Sequence, residues 1–77
     1  MISWELSKRI NRFLDEVERI LGDSFTERYA FKIARSDGET ASVILANRGN
    51  WFDLKTITFS LSDDPAQVAA KVRELVR

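Results

Sequence analysis

There is no histidine and no cysteine in this chain of 77 residues, and it carries one proline, three glycines, one methionine and no net charge. Each absence removes a class of function. Without histidine, the side chain that titrates near neutral pH and serves most often in acid–base catalysis is missing. Without cysteine there is no disulfide framework, no thiolate metal site and no thiol nucleophile. Zero net charge is a poor match for a polyanion partner, because phosphate binding is driven by clustered cations. The charges are also evenly dealt: residues 1–40 hold seven basic and eight acidic side chains, residues 41–77 five and four. No run approaches the ~18 apolar residues that cross a bilayer, and Glu5, Lys8 and Arg9 interrupt the N-terminus where a secretory leader would be apolar. These features lead us to expect a cytoplasmic protein with no membrane partner.

What is present is patterning. Hydrophobic residues make up 44% of the chain and charged residues 31%, an ordinary globular balance rather than a disordered one. Length implies a single domain over residues 1–77, one that buries only about 60% of its unfolded surface. Leu6, Ile10, Phe13, Leu14, Val17, Ile20 and Leu21 recur at helical spacing, with Ser3 as N-cap and Gly22 just past the end. This predicts a helix over 4–21, laced on its polar face by the i,i+4 pairs Glu5–Arg9, Arg12–Glu16 and Asp15–Arg19.

Tyr29, Phe31 and Ile33 alternate with Ala30, Lys32 and Ala34 in a half-buried strand, and Asp37-Gly38 signals a hairpin turn. Ala41, Val43 and Leu45 then share one face of a second strand, opposite Ser42, Ile44 and Ala46. Asn47-Arg48-Gly49-Asn50 reads as the next turn, followed by a third strand from about Asp53 to Ser60. Its phase conflicts: Phe52 and Leu54 have one parity, Ile57 and Phe59 the other. Either a bulge near Lys55 re-aims the strand, or Trp51 and Phe52 belong to the turn. Asp64-Pro65 opens a last helix whose apolar stripe is Val68, Ala69, Val72, Leu75 and Val76. The expected fold is α+β, in the order α-β-β-β-α: a three-stranded antiparallel meander with two helices packed on one face.

That order resembles the topology of double-stranded-RNA-binding domains, which read A-form shape with the first helix, a hairpin loop and a basic start to the last helix. Here Ser62-Asp63-Asp64-Pro65 is acidic where that family presents lysines, and its histidine-bearing hairpin loop has no counterpart. The stretch from Tyr29 to Arg77 similarly resembles, in order alone, the arm-binding domains of tyrosine integrases. Neither likeness includes a motif.

The candidates for chemistry are few. Asp63 and Asp64 are explained by helix capping, and Asp15, Glu16 and Glu18 by surface ion pairs among Arg12 and Arg19. No EF-hand spacing, glycine-rich phosphate loop or serine–histidine pair exists. The chain is therefore expected to be no enzyme, with no cofactor, no metal and no small-molecule ligand. Its unusual residues are apolar ones outside the core pattern. Ile44 sits mid-strand on the face away from the helices, with Leu54 beside it. Trp51 and Phe52 stand at a turn, either plugging the open end of the core or exposed for contact, and Trp4 either folds back over the core edge or is likewise free. Lys32, Arg28 and Arg48 are placed by parity on the same open face. The leading reading is a protein-binding module, an inhibitor, adaptor or self-associating accessory protein, that meets another protein or a second copy of itself. Its contact residues would be Ile44, Leu54, Trp51, Phe52, Lys32 and Arg48. The alternative is a nucleic-acid-binding module that uses the same open face, stacking bases between its cations.

Overall fold

The computed structural model describes residues 4–76. Helix α1 (Trp4–Leu21) is followed by a one-turn helix α2 (Asp23–Thr26), strands β1 (Tyr29–Ser36), β2 (Thr40–Asn47) and β3 (Asn50–Ser60), and helix α3 (Pro65–Leu75). The strands form an open antiparallel sheet in the order β1-β2-β3. The expected α-β-β-β-α meander is therefore the observed fold. Its one addition is α2, which places Phe25 against the rings of Tyr29 and Phe31, 4.8 and 6.3 Å away between centroids.

Apolar residues at i, i+3 and i+4 on α1 (Ile10, Leu14, Val17 and Leu21) are buried against Val68, Ala69 and Val72 of α3. Below them lie Ala41, Val43, Leu45, Ile57 and Phe59, all from one face of the sheet. Both long helices thus cover a single face, and the opposite face is free of them. Phe13, one of the apolar stripe predicted for the first helix, is half-buried; its ring stacks on the buried Phe59 at 4.8 Å. Leu75, assigned by its spacing to the buried stripe of α3, is exposed instead.

The ends of the elements are tied by short polar contacts. Gly22 (φ 93°) takes the chain out of α1, and Arg73 on α3 donates to the Ile20 carbonyl at 3.1 Å, satisfying a group the helix end leaves open. Asp64 caps α3 by accepting from the Ala66 amide at 2.9 Å, and Asp63 accepts from the Ser60 amide at 3.0 Å. Asp64 is thus the helix cap, whereas Asp63, also expected to cap, closes the turn that leaves β3. Ser3, the expected cap of α1, lies outside the described residues.

The β1–β2 turn has a pH signature. Asp37 accepts from the amides of Thr40 (2.9 Å) and Glu39 (3.2 Å) and from the Thr40 hydroxyl (2.9 Å). The Thr40 amide and hydroxyl, then the Glu39 amide, hold its carboxyl below the usual carboxylate range. A carboxyl whose pKa is lower folded than unfolded contributes stability that is fully present above the unfolded pKa. That contribution is lost as pH falls through the folded value. The melting-temperature gap between wild type and Asp37→Asn should therefore close as pH drops below the carboxylate range. A gap that stays constant from neutral to strongly acidic pH would show that the turn does not depend on the charge.

Candidate functional site

The open face of the sheet is built from rows of cross-strand neighbours. Ala30, Ala46 and Leu54 form one row; Lys32, Ile44 and Thr56 the next; Arg35, Ser42 and Thr58 the third. Polarity grades along the strands. The first row is apolar, the second has Ile44 at its centre, and in the third the hydroxyls of Ser42 and Thr58 lie 3.0 Å apart in a hydrogen bond. Small alanines flank Ile44 and Leu54, so this corner is flat, and Leu54 remains 57% exposed.

Arg35 reaches this face through a β-bulge. The β1–β2 register shifts between Ile33 and Arg35, so that Arg35 pairs with Ser42 rather than pointing into the core. A charged side chain at a core-facing parity is the signal that marks the bulge, and Arg35 is the functional candidate that alternation alone missed. Lys32 and Arg35 now form a cationic border along β1.

Two expected cations do not join them. Arg48 turns to the helix side: its Nε donates to the Thr26 carbonyl at 3.2 Å, and its charge lies near Glu18. There it partly offsets burial and the neighbouring Asp15, which together raise the Glu18 carboxyl above its ordinary range. Arg48 is thus a tie between the β2–β3 hairpin and the helices, and leaves the contact set. Arg28 is drawn off in the same direction, with its guanidinium 5.8 Å from the centre of the Tyr29 ring.

The aromatic pair at the start of β3 is a bulge rather than a turn or a plug. Asn47 pairs with Asn50 and Ala46 with Leu54, so Trp51, Phe52 and Asp53 fall between two paired positions. From Leu54 on, the strand alternates regularly, with no bulge at Lys55. Side chains hold the excursion in shape. Asn50 accepts from the Phe52 amide at 3.1 Å, Asn47 donates to Asp53 at 3.3 Å, and Lys55 donates to the same carboxylate. The Lys55 and Asn47 hydrogen bonds hold the Asp53 carboxyl below its ordinary range. Within this frame Trp51 is 70% exposed and Phe52 98% exposed, so neither closes the core. Trp4 is also open to solvent, at 74%, with the Lys8 ammonium 5.2 Å from its ring; it does not fold back over the core edge.

Ile44 and Leu54 therefore lie in adjacent rows of the open face with Lys32 beside Ile44, and the exposed Trp51 and Phe52 precede Leu54 in the bulge. Among the described residues, no three histidine, cysteine, aspartate or glutamate side chains converge to hold a metal ion, and no helix is long and apolar enough to cross a membrane. Comparison with family models, curated proteins and solved structures finds no match for this chain.

Proposed function

We propose that this protein is a non-enzymatic binding module that docks another protein on the apolar corner of its open sheet face. The observation that carries the reading is the pinned bulge. Three polar side chains (Asn47, Asn50 and Asp53) fix the bulge that leaves two large aromatics in water, immediately before the exposed Leu54 in β3. Single exposed apolar residues are ordinary, whereas a contiguous patch of them on a rigid frame is the mark of a contact surface. Aromatic side chains in such a place also supply much of the energy of protein interfaces. The Lys32–Arg35 border sets the partner's chemistry: an apolar centre flanked by carboxylates on the side that meets β1.

Nucleic acid binding through this face is the weaker reading. With Arg28 and Arg48 turned away, the three rows carry two cations, while phosphate contacts require a cluster. Gel-shift assays over a salt series separate the two, since phosphate binding weakens steeply with salt.

The test is Ile44→Lys beside Trp51→Ala, in proteins whose circular dichroism matches wild type, measured against partners that co-purify with the tagged chain. Loss of a central contact residue should cost at least about 2 kcal/mol, roughly thirtyfold in affinity. If both variants bind as tightly as wild type, this corner is not the docking surface.

A further inference from the structure

We infer that the free edge of β3 pairs with the same edge of a second copy of this chain, joining two sheets into one. An antiparallel ladder alternates hydrogen-bonded with non-hydrogen-bonded pairs. The Leu61 amide donates to the Glu39 carbonyl at 2.8 Å, just outside the Thr40–Ser60 pair, which makes that pair non-hydrogen-bonded. Counting along the register, Ser42–Thr58, Ile44–Thr56 and Ala46–Leu54 are of the same kind. The backbone groups of Leu54, Thr56, Thr58 and Ser60 therefore point away from β2, toward the open edge. The Ser60 amide is taken by Asp63 and the Phe52 amide by Asn50, so the open run is Leu54, Thr56 and Thr58, closed at both ends.

This run is self-complementary. A two-fold axis through Thr56 sets Leu54 against the partner's Thr58, Thr56 against the partner's Thr56, and Thr58 against the partner's Leu54. Every open amide and carbonyl of the run then meets a counterpart, and the three-stranded sheet becomes a continuous six-stranded one. An open cleft of about 400 Å³ lies beside this edge, between Thr56–Thr58 and Lys71, Glu74 and Leu75 of α3.

The two edges of the sheet are guarded differently, and that asymmetry selects β3. The Arg48 amide donates to the Arg28 carbonyl at 2.8 Å, which aims the backbone of Tyr29, Phe31 and Ile33 at the β1 edge. That edge is interrupted by the Ala34 bulge and bears Lys32 and Arg35, the devices by which proteins discourage edge pairing. From Leu54 to Ser60 the ladder of β3 is regular, the side chains of Leu54, Thr56 and Thr58 are neutral, and the one charge of this stretch, Lys55, is paired with Asp53.

The inference is independent of the face reading, because it uses backbone at the edge rather than side chains of Ile44 and Trp51. Sedimentation equilibrium of the full chain tests it with three variants. Thr56→Lys sets two ammonium groups against each other at the axis. Thr56→Pro removes an amide that β2 does not use; if it fails to fold, Thr56→Lys decides alone. Wild type should show a concentration-dependent monomer–dimer equilibrium. Thr56→Lys and Thr56→Pro should remain monomers with unchanged circular dichroism, and Ile44→Lys should still dimerise. A wild type that stays monomeric at every concentration would overturn the inference and leave the edge to a strand from another protein. A dimer that survives Thr56→Lys but is lost in Ile44→Lys would also overturn it, and would move self-association to the sheet face.

Discussion

Phe59→Ala should unfold most of the protein at room temperature. The ring is buried on the core face of β3 and stacks on Phe13, so its loss removes both apolar burial and an aromatic contact. Such truncations cost about 3–5 kcal/mol. A single core in a chain this short rarely supplies more than about that much. No metal-ligating imidazole or thiol, and no disulfide, is present to make up the difference. Phe13→Ala should cost less, because that ring is only half-buried and sits over the layer rather than inside it. Urea titrations followed by circular dichroism give the ordering directly. A cooperatively folded Phe59→Ala that loses less than about 1 kcal/mol would contradict the packing of α1 on β3.

Gly22→Ala should be the next most damaging, although there is room for the added methyl group. A Cβ there would meet no atom within 4 Å, so sterics with neighbours predict tolerance. The backbone predicts otherwise: φ 93° and ψ 168° lie in a region that is essentially reserved for glycine. Forcing an L-residue into it costs about 1–3 kcal/mol. The strain falls where α1 hands over to α2, so relief would displace Phe25 from Tyr29. Gly49→Ala is the control. Gly49 is not among the glycines at positive φ, and its Cβ would meet the Asn47 side chain at 3.5 Å, an ordinary contact. That change should be neutral or stabilising by up to about 1 kcal/mol through the unfolded chain. Equal melting temperatures for the two variants would mean that the α1–α2 corner does not hold this conformation.

Most of the fold was legible because its elements obey their own periods. The apolar spacing of Leu6 to Leu21 placed α1 at the bounds observed, and Asp64-Pro65 marked the start of α3. What escaped depends on contacts far apart in the chain. A single turn such as α2 has too little local signal to stand out, since nucleation costs more than one turn of hydrogen bonds returns. The direction of Arg48 is set by the Thr26 carbonyl, 22 positions away, which parity at a turn cannot anticipate.

The candidate site was legible in a different sense. The phase conflict in the third strand, Phe52 and Leu54 against Ile57 and Phe59, looked like a defect of register. In the folded chain there is no defect beyond residue 54: Ile57 and Phe59 face the core while Leu54 faces water with Thr56 and Thr58. The conflict was apolar residues on the wet face, which is the feature the proposed function rests on. Strand pairing could not be read at Trp51–Asp53 because the bulge is held by Asn47 and Asn50, polar residues whose turn signal masks their second role.

Site-specific photo-crosslinking in the cell of origin tests the docking corner most directly. A photoreactive phenylalanine analogue placed at Phe52 on the sheet corner is compared with the same analogue at Arg12, an exposed position on α1. Discrete protein adducts are expected from position 52, competed away by excess unlabelled wild type but not by Ile44→Lys, and none from position 12. Adducts from position 12 with none from position 52 would place the contact surface on the helices and contradict the assignment.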